Sequence, residues 1–229
     1  GALATYIADG ANTVHANLTA IKGKDTDINI TITPAIANIT DDQVTQVNNI
    51  AAALTGTVTA SIDGNVAQLD DLAANGTSAT CAFTIVVDDV ATVTQGKAIV
   101  DATNAATVDF SAAGLTGALA TYIADGANTA HASLTDIKNK DGDINITITP
   151  AIANITDDQV TQVNNIVAST TGTVTASIDG NAAQLDDLTA SGTTGQATCA
   201  FTIVVDDVAT VTQGKAIVDA TNAATVDFS

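Results

Sequence analysis

The chain is one sequence written twice, and this constrains its fold more than any other feature. Residues 27–50 recur without a change at 143–166, and residues 79–111 recur at 197–229. The offset is 116 residues before the loop near Asn75 and 118 after it, because Gly76-Thr77-Ser78-Ala79 becomes Gly192-Thr193-Thr194-Gly195-Gln196-Ala197. The slip falls in a loop, where insertions cost least. Elsewhere the exchanges are small for small or polar for polar, as in Val14 to Ala130 and Asn17 to Ser133. Two modules follow, residues 1–116 and 117–229, and a chain of this kind reads as an array whose unit is the module.

Gly1 corresponds to Gly117 and Ser229 to Ser111, so only the joint Ala112–Thr116 lies outside the repeat. This phase suggests an internal slice, or a processed product, of a longer protein. Hydrophobic residues make up 46% of the chain, which predicts a packed core despite the net charge of −19. Every one of the 25 acids is Asp and every one of the 6 bases is Lys. Without Arg, and with a strongly acidic surface, the chain is unsuited to polyanions, so nucleic acid is not an expected partner. No apolar stretch is long enough to span a bilayer as a helix.

Within a module, strand signals alternate with helix signals. Ile28, Ile30 and Ile32 alternate with Asn29, Thr31 and Thr33, a period of two that Pro34 is expected to end by removing an amide. Thr40-Asp41-Asp42-Gln43 reads as a capping box, and Val44, Val47, Ile50 and Ala51 follow at helical spacing. Val58, Ala60 and Ile62 mark a second strand, then Val66, Leu69 and Leu72 a short helix. A third strand covers Cys81 to Val87, and a helix is expected from Val90 to Ala102 with Val93, Ile99 and Val100 inward. Thr107–Phe110 is strand-like. Beyond it periodicity leaves two readings open, a helix capped by Ser111 and running through Leu115, Leu119 and Ile123, or a strand over Leu119–Ala124. Val14, Leu18 and Ile21 mark one more helix.

Strand, helix, strand order calls for parallel pairing with right-handed crossovers. The expected fold is an α/β repeat solenoid, one parallel β-sheet flanked by helices. The alternative is two tandem α/β or α+β globular repeat domains.

A search for chemistry yields little. Asp41/Asp42, Asp70/Asp71 and Asp88/Asp89 are expected at first helical turns, where carboxylates complement the helix dipole. Calcium is the functional alternative, although neither the EF-hand loop nor a glycine-rich nonapeptide is present. His15 and His131 lack a second ligand at metal-binding spacing, and no nucleophile elbow, phosphate loop or paired-cysteine motif occurs. No enzyme activity and no resident cofactor are therefore expected. Asn17, Asn29, Asn38 and Asn75 match the N-glycosylation pattern, which an Asn- and Thr-rich chain produces by chance. Cys81 and Cys199 fall on the apolar face of a strand, as buried hydrophobes or as cross-links between chains. Rows of Thr, Ser and Asn on the other strand face could dock a second sheet, a glycan or ice.

The phrases Phe-Thr-Ile-Val-Val-Asp-Asp-Val-Ala-Thr, Ile-Val-Asp-Ala-Thr-Asn-Ala-Ala-Thr-Val-Asp-Phe-Ser and Ser-Ile-Asp-Gly-Asn-Val-Ala-Gln-Leu-Asp-Asp-Leu resemble the tandem βα-type repeats of very large bacterial surface proteins, especially cyanobacterial ones and repeat-rich adhesins. The resemblance spans the chain. It implies a secreted structural or adhesive role, outside the cell or at its surface, and assigns no catalytic residue. The expectation is thus a structural segment of an extracellular filament, surface layer or adhesin stalk that assembles head to tail with copies of itself. Tyr6 and Ile7 at one end and Val226 and Phe228 at the other are the expected assembly edges. A surface module binding glycan, mineral or calcium is the alternative.

Overall fold

The structure is a computed structural model that describes residues 1–229 except 9, 106, 111–113, 125–126, 193–194, 223–224 and 229. It divides into two compact units, Gly1–Ala113 and Gly114–Ser229. The second unit begins three residues ahead of the module boundary read from the sequence. The reason is local: Leu115–Gly117 forms a strand that pairs in register with Ile146–Ile148, so the joint belongs to the second unit's sheet.

In the first unit a 3-10 turn (Leu3–Thr5) and α1 (Ala16–Lys22) precede β1 (Ile30–Thr31), α2 (Asp41–Ala53), β2 (Thr57–Gly64), α3 (Val66–Leu69), β3 (Thr80–Val87), α4 (Val93–Asp101) and β4 (Val108–Asp109). The second unit opens with β5 (Leu115–Gly117) and a 3-10 turn (Leu119–Tyr122). It continues through α5 (Ala132–Lys138), β6 (Ile146–Ile152), α6 (Asp157–Val167), β7 (Thr173–Gly180), α7 (Ala182–Leu185), β8 (Thr198–Val205), α8 (Val211–Asp219) and β9 (Val226–Phe228). Each sheet is wholly parallel and its strands lie in chain order, β1-β2-β3-β4 and β5-β6-β7-β8-β9. If the crossovers take the usual right hand, α2 to α4 share one flank of the first sheet and α5 to α8 one flank of the second. Burial agrees: along β2, Val58, Ala60, Ile62 and Gly64 are buried while Thr59 and Ser61 are exposed.

The architecture is therefore α/β, with two parallel sheets flanked by helices. A single sheet through both modules was the expectation, and the pairing contradicts it. Five residues, 110–114, separate β4 from β5, too few for a parallel crossover, which needs about a dozen or more.

Three local details explain where the elements fall. Pro34 does not end the ladder, as its missing amide suggests it should. The ladder skips the proline and resumes at the Ile36–Ile62 bridge, and β6 likewise runs through Pro150 with a register shift between Ile148 and Ile152. Both prolines sit exposed inside this irregularity, where no ladder donor is required. The capping box at Thr40 and Gln43 is present, and Val44, Val47, Ile50 and Ala51 are buried. α4 starts later than Val90 because a second capping box, Thr92 with Gln95, sets its first turn. Past β4 the chain forms neither of the two readings but a strand and a 3-10 turn; Ser111 lies outside the described residues.

Close approach of turns fixes certain glycines. A Cβ on Gly172 would lie 2.1 Å from the Asp143 carbonyl oxygen, and one on Gly56 would lie 2.2 Å from that of Ile28. Buried hydroxyls tie other turns. Thr103 Oγ1 accepts from the Phe83 amide at 2.7 Å and donates to the Phe83 carbonyl at 2.7 Å, replacing a missing strand neighbour. Thr221 does the same for Phe201.

Candidate functional surface

The sheet face turned away from the helices is the most regular surface of each unit. Parallel sheets are ordinarily covered on both faces, so an uncovered one is a feature to account for. Register aligns Thr57 with Thr80, Thr31 with Thr59 and Ser61 with Thr84. In the second unit Thr147 aligns with Thr175, Thr173 with Thr198, and Ser177 with Thr202. Hydroxyls thus stand in short rows across strands about 4.8 Å apart. Ala82, Val86 and Asp109 interrupt them, which leaves the face mixed in polarity. Such a surface can lie flat against another sheet or a hydroxylated ligand.

The acidic pairs occupy three different settings. Asp41 and Asp42 lie in the first turn of α2, as expected. Asp70 instead follows the end of α3, so its pair is not an N-terminal one. Asp88 and Asp89 precede α4 in a loop, and Asp89 turns to the preceding helix: its Oδ1 accepts from the Val66 amide at 2.6 Å, as Asp207 Oδ1 does from Ala182 at 2.7 Å. Lost solvation, then the charge and hydrogen bond of Asp63, then the charge of Asp89 push the Asp88 carboxyl above its ordinary value. For Asp206 the hydrogen bond with Asp179 leads, followed by lost solvation and the charges of Asp179 and Asp207. The Asp88 and Asp206 carboxyls therefore hold their protons more tightly than isolated acids. Among the described residues no group of three or more His, Cys or acidic side chains is placed to hold a metal ion.

Cys81 and Cys199 are free thiols, 1% and 0% exposed. Burial pushes both above the usual thiol value, Cys199 to about 11 despite a hydrogen bond from Ser191. A cross-link between copies would need the sheet to open first. His15 and His131 are helix caps, each Nδ1 accepting from an amide two residues on at 3.1 Å. Two of the glycosylation-pattern residues are engaged in the fold, Asn29 Oδ1 with the Thr57 amide at 2.7 Å and Asn75 Oδ1 with that of Cys81 at 2.6 Å.

Of the expected assembly edges, Ile7 is buried in an antiparallel bridge with Val14, and the Tyr6 hydroxyl donates to the Thr31 carbonyl at 3.3 Å. These two residues therefore pack into the first unit and do not form an open strand edge. Val226 and Phe228 do lie on an outer strand, β9, with Phe228 47% exposed.

A groove recurs in both units beside the first long helix. In the first, about 520 Å³ is bounded by Ile7, Ala11, Asn12, Asp42 and Gln46; in the second, about 350 Å³ by Ile123, Asn128, Asp158 and Gln162. Asn12 ties the groove together, donating to Asp42 at 3.0 Å and accepting from Gln46 at 2.9 Å, while its carbonyl accepts from Asn49 at 2.6 Å. Asn128 repeats the set with Asp158, Gln162 and Asn165. Because these polar groups satisfy one another, the groove is a buttress between turn and helix. Sequence reasoning missed this pair of residues; the signal is an Asn in a Gly- and Ala-rich turn opposite an Asp-x-x-x-Gln helix face. No helix among the described residues is long and apolar enough to cross a membrane. No known protein family, curated protein or solved structure matches the chain.

Proposed function

We propose that this chain is a structural repeat segment of an extracellular bacterial filament, surface layer or adhesin stalk, whose modules act as short solenoid turns that stack head to tail. The observation that carries this reading is the near-verbatim duplication, each copy of which builds a parallel sheet with its strands in chain order. Units of this kind, with strands in chain order and helices between them, are the form that repeat proteins stack on one another. Side-chain chemistry points the same way. Polar groups bind the backbone of adjacent turns, 20 to 28 residues apart. Copies of itself are the partners this reading names, with a location outside the cell or on its surface.

Electron microscopy of the intact native protein tests it. A fibre or lattice with a constant axial repeat is expected on the cell exterior, whereas dispersed particles inside the cell would refute it. A second reading, a surface module for glycan or mineral, draws on the hydroxyl rows of the open sheet face. Binding to hydroxylated polymer that is lost when Thr59 and Thr84 are replaced by Val would favour it over pure scaffolding.

A further inference from the structure

The two units are built from interchangeable parts. Residues 79–111 and 197–229 are identical, and they carry β3–α4–β4 of the first unit and β8–α8–β9 of the second. The strand that each segment pairs with is identical too. β2 and β7 both read Thr-Val-Thr-Ala-Ser-Ile-Asp-Gly, and the register is the same, Thr57 with Thr80 through Gly64 with Val87 and Thr173 with Thr198 through Gly180 with Val205. The bonds along this seam repeat as well. The Thr80 and Thr198 amides donate to the Gly56 and Gly172 carbonyls at 3.0 and 2.9 Å, and the Asp88 and Asp206 amides to those of Gly64 and Gly180 at 3.0 Å. Asp89 and Asp207 each accept from the first amide of the helix before the seam. That helix differs between the units only by Val66 against Ala182.

We infer that copies of this chain interlink by exchanging these segments, so that β8–α8–β9 of one copy takes the place of β3–α4–β4 against β2 of another. Each contact at the seam is traded for its equal, which leaves concentration to decide the outcome. In dilute solution the tethered segment wins, because its effective concentration is on the order of millimolar. Copies that fold close together exchange, as adjacent like units are prone to do, and domain swapping of this kind joins chains at low cost. The displaced β3–α4–β4 can complete the second unit of a further copy, so the linkage continues from chain to chain. As a means of building an array this rests on the structural-repeat reading.

Sedimentation velocity after refolding tests it. The 229-residue chain is unfolded in guanidinium chloride, refolded at high and at low concentration, diluted, and compared with chain that was never unfolded. Dimers and larger species are expected only after refolding at high concentration, and they should persist on dilution, since release requires a unit to open. Thr59→Cys with Ala200→Cys then assigns the seam. Without exchange Thr59 pairs with Ala82 and Ala200 with Thr175, whereas exchange sets position 59 of one copy opposite position 200 of another. A bifunctional thiol reagent, its span first chosen to bridge Thr59→Cys with Ala82→Cys inside one chain, should give covalent dimers from the diluted sample. Cys81 and Cys199 are buried and do not compete. Refolded chains that stay monomeric, oligomers that form without unfolding or dissociate on dilution, and persistent oligomers that the reagent does not bridge each overturn the exchange. Whichever result is found, the structural reading still stands or falls on whether the native protein forms fibres.

Discussion

Single side chains hold successive turns of this fold together. Thr103→Val keeps the shape but strands the amide and carbonyl of Phe83, and should cost about 1–3 kcal/mol in denaturant unfolding. Thr103→Ser should recover most of that. Gly172→Ala forces a methyl toward the Asp143 carbonyl and should lower stability by a similar amount, about 1–3 kcal/mol, through displacement of the turn. The acidic pairs act in the opposite direction. A carboxyl whose folded value is raised binds its proton more tightly in the folded state, so its favourable contribution is present in acid and is lost as pH rises through that raised value. Asp88→Asn with Asp206→Asn should therefore raise the melting temperature relative to wild type at pH 7, and the difference should shrink toward zero below the ordinary Asp value of 3.8.

Elements owe their boundaries to caps, and the caps decide how much of the fold can be read in advance. The Thr40 box follows one local rule, so α2 and its buried face are plain in the sequence. α3 is different. Its cap residue Asn65 makes no side-chain cap bond, and its first amide is instead held by Asp89, 23 residues on. No periodicity reports a partner that distant, so Asp88-Asp89 reads as the start of its own helix. Asp89→Ala should cost about 0.5–2 kcal/mol and speed hydrogen exchange at Val66 while leaving α4 unaffected. The stretch after Phe110 is hidden for another reason. Leu115–Gly117 is too short for alternation to show and becomes a strand only because Ile146–Ile148 offers it an edge. Pro34 misleads similarly, since a ladder irregularity can absorb a proline without ending the sheet.

At the scale of the molecule, duplication predicts like folds, and both units are parallel sheets with their strands in chain order and helices between them. What the sequence could not disclose is exposure, because Val93 and Val211 have identical neighbours in the chain and opposite environments in space. The central claim is that modules stack on one another as building material. Small-angle scattering from chains of two, four and six modules tests this most directly. Stacked modules should lengthen the particle by a constant increment for each one added. Growth with about the square root of module number, as for beads on a flexible linker, would contradict the account.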